Sequence, residues 1–100
     1  MKPLPKETYK KNAAIYKILA NPKRLEVLNL LKDGEMGVEK LLKITKLPKA
    51  NLSQHLAILR TNSLVRTRRN GLNIFYTLVD SKIVLPCKIL HNLRNRRIIK

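Results

Sequence analysis

The chain is 100 residues long, with 22 Lys and Arg against 6 Asp and Glu, a formal charge of +16 and a hydrophobic content of 44%. That length suits a single domain burying roughly 60–70% of its unfolded surface, and the apolar content separates it from a disordered basic tail. So large an imbalance calls for an anionic partner, nucleic acid before a membrane surface, while no apolar run approaches the ~20 residues of a spanning helix and no stretch has signal-peptide architecture.

Met1 to Pro5 carries two prolines and is expected to fray. From Lys6 to Ala20, Ala13, Ala14, Ile15, Ile18 and Leu19 form a short apolar stripe on a basic first helix. Asn21-Pro22 stops it and starts a second, with Asn21 as N-cap and Pro22 at the first helical position. This helix runs to about Lys32 on Leu25, Val27, Leu28, Leu30 and Leu31, and Asp33-Gly34 ends it. A short third helix spans about Val38 to Thr45. Pro48 or Lys49 opens a fourth, continuing to about Thr61, with Leu52, Leu56 and Leu59 on its apolar side, helped by Ala57 and Ile58. Its leading edge holds Lys49, Asn51, Ser53, Gln54 and His55, all hydrogen-bonding groups. Two short helices joined by a tight turn, the second with a polar leading edge, read as a helix-turn-helix.

Val65 to Leu78 reads as a basic β-hairpin. Asn70-Gly71 is the favoured dipeptide for a two-residue type I′ turn, which would pair Thr67 with Ile74 and Val65 with Tyr76. Val65, Thr67, Ile74, Tyr76 and Leu78 then share one face, Arg66 and Arg68 project from the other, and Arg69 sits beside the tip. Asp80-Ser81 begins the last helical segment, carried by Leu85, Ile89, Leu90 and Leu93, with Pro86 expected to kink it or delay its start. The fold class is mainly α with a small antiparallel β-hairpin, in the order α-α-α-α-β-β-α, as one winged helix-turn-helix domain over residues 1–100.

Three pieces, in order and at suitable spacing, resemble the ArsR-type family of small bacterial and archaeal repressors. They are Asn21-Pro22-Lys23-Arg24-Leu25, the segment Leu52-Ser53-Gln54-His55-Leu56 followed by Leu59, and the wing from Leu64 to Gly71 with Ile74-Phe75-Tyr76. The resemblance implies winged-helix homodimers that leave DNA when they bind an effector, with the first and last helices at the dimer interface. Ile15, Ile18, Leu19, Leu85, Ile89, Leu90 and Leu93 are the candidates for that role, with packing inside one chain as the alternative. The family's metal sensors carry Cys-x-Cys where this chain has Gly37 and Glu39. The alternative site on the last helix begins Asp-x-His, where this chain has Asp80 and Lys82. Neither soft-metal site transfers, because thiolates and imidazoles are what bind such ions. Pro48 stands in place of an N-cap Ser, a loss of about 1 kcal/mol, and Ser63 in place of a helix-ending Gly.

Resemblance and exposure nominate Lys49, Ser53 and Gln54 for base edges or nearby phosphates, with Asn51 and His55 as second choices. Gln matches adenine, and Lys reaches guanine or phosphate. For His55 a structural role competes. Arg66, Arg68, Arg69 and Asn70 are assigned to phosphates or a minor groove, against the alternative of a strand edge charged to resist aggregation. Cys87 is the single cysteine, so no intrachain disulfide forms and a reducing cytoplasm fits. It lies four residues from His91 on one helix face. Across a two-fold axis the pair could hold a metal, although plain packing or surface is the stronger reading, so no metal or other cofactor is expected.

Catalysis has no support: the acids are scattered, no Gly-rich phosphate loop precedes a helix, and Ser53 with His55 lacks an orienting acid. The expectation is a homodimeric, sequence-specific repressor on an inverted-repeat operator in double-stranded DNA, without membrane association. A non-specific, chromatin-like or ribosome-associated DNA/RNA binder is the alternative. The four aromatics form no exposed stacking pair of the RNA-module type.

Overall fold

A computed structural model describes residues 2–100. Its elements are α1 (Lys6–Leu19), α2 (Pro22–Leu30), β1 (Met36–Gly37), α3 (Val38–Thr45), α4 (Lys49–Thr61), β2 (Val65–Asn70), β3 (Asn73–Leu78) and α5 (Leu85–Asn95), with 3-10 turns at Leu31–Asp33 and Ser81–Val84. Lys2–Pro5 hold no regular structure. Met1, the first residue of the segment expected to fray, lies outside the described residues.

Local chemistry sets the helix boundaries. The Asn21 side-chain oxygen accepts from the N–H groups of Lys23 and Arg24 at 3.0 and 3.2 Å, with Pro22 opening α2. Asp80 accepts from the Lys82 N–H at 2.8 Å and caps the second 3-10 turn. Pro86 falls in the first turn of α5, where its missing N–H has no intrahelical acceptor to lose, so it delays the helix instead of kinking it. At the end of α4, Ser63 takes φ +60°. The Leu64 N–H reaches the Leu59 carbonyl and the Ser63 N–H reaches that of Arg60, both at 3.0 Å, a Schellman pairing that glycine suits better. Ser63→Gly should therefore raise stability by about 0.5–1 kcal/mol, the left-handed penalty outweighing glycine's extra unfolded entropy. A higher urea midpoint is the expected result, and a lower one would mean that Ser63 carries no strain.

The core joins four elements. Val27 and Leu28 of α2, the adjoining Leu31, Leu41 of α3, and Leu52, Leu56 and Leu59 of α4 are sealed from solvent, with Leu64 and Val65 closing one side. The α4 residues recur at i, i+4 and i+7, which is one helix face. Burial of that face fixes which side of α4 looks outward.

The sheet differs from expectation in two ways. β1 adds a third strand in the order β1-β3-β2, pairing Met36 with Tyr76 and Gly37 with Phe75. Two residues carry no readable period, so this strand is invisible in the sequence. A Cβ on Gly37 would stand 3.3 Å from the Phe75 ring, so glycine admits the ring at this position. The hairpin register is also shifted by two residues: Val65 lies opposite Leu78, Thr67 opposite Tyr76 and Arg69 opposite Ile74. Gly71 and Leu72 make the turn, with φ +64° at Gly71 and no positive φ at Leu72 or Asn70, the sign pattern of a type II′ turn. A two-residue shift keeps every side chain on its expected face. The observed register starts the ladder inside the core, where the Val79 N–H donates to the Leu64 carbonyl at 3.1 Å. Burial of Val65 thus outweighs the local preference of Asn70-Gly71.

Candidate DNA interface

α3 and α4 meet across Lys46–Pro48. Lys46 takes the left-handed conformation at φ 57°, and its N–H caps α3 on the Leu42 carbonyl at 2.9 Å. The buried Thr45 hydroxyl donates to the Leu41 carbonyl at 2.7 Å and accepts from the Leu47 N–H at 3.4 Å, which ties the turn to α3. Pro48 precedes α4 without a side-chain cap. This is the helix-turn-helix read in the sequence, held by backbone and hydroxyl bonds.

With Leu52, Leu56 and Leu59 buried, Lys49, Asn51, Ser53 and Gln54 are all exposed. Lys49 and Ser53 are separated by four residues, as are Ser53 and Ala57, and Ala50 and Gln54, so these side chains form one outward face. Ala50 went unnoticed in the sequence because alanine carries no polar signal, and Ala57, expected to help the apolar side, is exposed instead; helical projection places both here, and a methyl group is what reads thymine. Lys40 of α3 was also missed. It lines one groove with Lys49, Ser53, Ile74 and Tyr76, joining the helix-turn-helix to the inner side of the wing.

His55 does not belong to this face. It is half-buried, and its Nδ1 accepts from Arg24 Nε at 3.2 Å. Burial first, and the Arg24 charge second, push its pKa below the ordinary histidine value. The structural role that competed for His55 in the sequence thus has a partner, Arg24 of α2, which engages its Nδ1.

The wing arginines separate into different situations. Arg66 and Arg68 share the outer face, while Arg69 sits across from Ile74 on the opposite side, one residue pair from the turn and so still near the tip. Asn70 closes the ladder against Asn73, outside the turn centre assigned to it. Arg68 is engaged: its Nη2 and Nε donate to the Glu35 carboxylate at 2.6 and 3.0 Å, and its guanidinium lies 4.8 Å from the Phe75 ring centroid. Hydrogen bonding from Arg68 holds the Glu35 carboxyl below its usual range and raises the pKa of the guanidinium. Glu35 had no visible role in the sequence, because its partner lies 33 residues away.

The outer helices bury nothing completely. Ile15, Ile18 and Leu19 are half-buried against the core, so part of the expected dimer set also packs within the chain. Leu85, Ile89 and Leu90 are 46%, 54% and 43% exposed and Leu93 is half-buried, while Tyr16, not nominated from sequence, is 64% exposed. Cys87 and His91 face a groove between α2 and α5 beside Glu26 and Asn29. Among the described residues no three His, Cys, Asp or Glu side chains gather as a metal site would require, and no helix is long and apolar enough to cross a membrane.

Residues 21–67 match the family described as bacterial regulatory protein, arsR family. HlyU of Vibrio cholerae, named a transcriptional activator, is 37% identical over 95 residues, covering 91% of this chain and 88% of HlyU. A solved HlyU structure superposes with a TM-score of 0.79 at 36% identity, over 89% of this chain and 97% of that one. PagR of Bacillus anthracis, named a transcriptional repressor, is 36% identical over 81 residues, 80% of this chain and 81% of PagR. The homodimeric winged helix-turn-helix DNA-binding domain of Mb0332 from Mycobacterium bovis shares the fold, with a TM-score of 0.79 at 24% identity over 97% of this chain and 95% of that one. The chain belongs to the arsR family of bacterial regulatory proteins, DNA-binding transcriptional regulators built on a winged helix-turn-helix.

Proposed function

We propose that this regulator is a cytoplasmic homodimeric repressor, free of catalysis, that covers an inverted-repeat operator and blocks a promoter by steric exclusion. Two copies of α4 enter successive major grooves about one helical turn apart. Lys49, Ser53 and Gln54 meet base edges or adjacent phosphates, with Asn51 beside them and Ala50 available to a thymine methyl. Arg66, Arg69 and Asn70 serve the backbone, with Arg68 in reserve behind Glu35. The observation that carries this reading is the division of α4: one face sealed into the core, the other polar and exposed, with Lys49 on it and Lys40 of α3 in the same groove.

Selection from a pool of random duplexes tests it. An inverted-repeat consensus supports the reading, and equal affinity for duplexes of any sequence would replace it with non-specific coating of nucleic acid. Salt titration then weighs the wing. Arg66→Gln should reduce the magnitude of the salt slope by roughly 0.9 for each phosphate neutralised per subunit. Arg68→Gln should reduce it by less, because Glu35 already neutralises that guanidinium. Equal losses at both positions would mean that Arg68 leaves Glu35 for DNA.

A further inference from the structure

Arg24 occupies a junction that the DNA-binding reading leaves unused. Its backbone N–H is held by the Asn21 cap at the start of α2. Its Nη1 donates to the Ile18 carbonyl at 3.1 Å, in the last turn of α1, and its Nε donates to His55 Nδ1 at 3.2 Å, in the middle of α4. A cation at a helix C-terminus is well placed both to satisfy an orphan carbonyl and to meet the negative end of the dipole. One guanidinium therefore connects the outer helix α1, helix α2 and the DNA-facing helix α4. These bonds are part-buried, away from the exposed face of Lys49, Ser53 and Gln54.

We infer that Arg24 and His55 are positioning residues, which set the angle of α4 against α1 through a hydrogen bond that only the neutral, Nε2–H form of His55 can accept. The inference rests on the reading of α4 as the DNA-facing helix. In a dimer built on the outer helices, an error in that angle is carried into the spacing of both recognition helices, which must match two half-sites. Specific binding suffers most, because phosphate attraction tolerates misalignment and base contacts do not.

Acid opens this junction. Protonation of Nδ1 removes the acceptor and places a second positive charge against Arg24. The charge that acts on His55 is Arg24 from α2, and neither ion pair among the described residues brings a carboxylate to it. Because the folded-state pKa of His55 is lowered, the contribution is complete above the ordinary histidine range near 6.5 and is lost as pH falls through that value toward the folded pKa. General electrostatics runs the other way: any positive charge gained in acid strengthens attraction to phosphate.

The test uses the intact protein and the duplex obtained by selection. Long-range proton–nitrogen NMR at pH 7.5 should show His55 as the Nε2–H tautomer, and a protonated Nδ1 would overturn the inference whatever the DNA result. As pH is lowered from 7.5 until NMR shows His55 of the folded protein fully protonated, below the ordinary histidine range, the ratio of specific to non-specific affinity should fall about tenfold, the scale of one lost hydrogen bond to a charged group. In His55→Asn, whose side-chain oxygen stands near the Nδ1 position and does not titrate, the profile should flatten. Arg24→Lys should lower the ratio about tenfold already at pH 7.5 while leaving non-specific affinity in place. A wild-type ratio that is flat with pH, or a His55→Asn profile as steep as wild type, would sink the positioning role and leave DNA recognition standing. Absence of any specific duplex would instead sink the DNA reading, with the tautomer still measurable in the free protein.

Discussion

Leu56→Ala should destabilise the fold by about 2–5 kcal/mol, the range for removing a sealed leucine and leaving a cavity. Leu56 is 1% exposed and lies between Leu52 and Leu59 on the buried face of α4, among the leucines of α2 and α3. A domain of this size has a total stability of about 5–15 kcal/mol, so the loss would be a large share of it. The midpoint of thermal unfolding should drop by about 8–40 °C, at about 4–8 °C for each kcal/mol. Urea denaturation at fixed protein concentration checks the value, because dimerisation would add a concentration-dependent term. Ser53→Ala, on the opposite face, should change stability by less than about 0.5 kcal/mol. A Leu56→Ala loss as small as that would mean that α4 is not anchored by this stripe.

Ile89→Asp should convert the proposed dimer to monomers and lower operator affinity by at least about a hundredfold. Ile89 is 54% exposed on a helix that buries no residue completely, with Leu85 and Leu90 open beside it. Scattered surface leucines need no explanation, but a contiguous apolar face on an outer helix does. An unpaired carboxylate forced into such an interface costs about 3–5 kcal/mol, or about two to four powers of ten in association. DNA affinity falls with it, since the second half-site is no longer held at high effective concentration by the first. Sedimentation equilibrium reads the oligomeric state, circular dichroism establishes that the monomer stays folded, and titration with operator reads the affinity. An unchanged dimer with unchanged affinity would place the interface elsewhere.

Where the sequence was legible, strong local chemistry coincided with periodicity. Asn21-Pro22 marked a capped helix start, and Leu52, Leu56 and Leu59 marked the buried face of α4. By subtraction they also marked the exposed face of Lys49, Ser53 and Gln54. The face assignment of the wing survived its register error because a slip of two preserves strand parity. Ser63 showed itself as an unusual residue where a glycine belongs, and its left-handed φ gives the reason.

The sequence by itself determined the order of the helices and the hairpin, the buried stripe of α4, and the strong positive charge of the chain. These depend on residues within a few positions of one another, and caps and hydrophobic spacing act at that range. The tertiary structure alone decided which polar groups remain free. Arg68 and Glu35 meet from 33 positions apart, and Arg24 reaches His55 across 31. No local pattern encodes either pair, because a hydrogen bond between distant segments forms only after the core has brought them together. Core closure likewise set the hairpin register, since burying Val65 beside Leu64 gains more than an Asn-Gly turn at the exposed tip. Two of the residues nominated for DNA, Arg68 and His55, thereby have partners within the chain, one a carboxylate and the other a guanidinium.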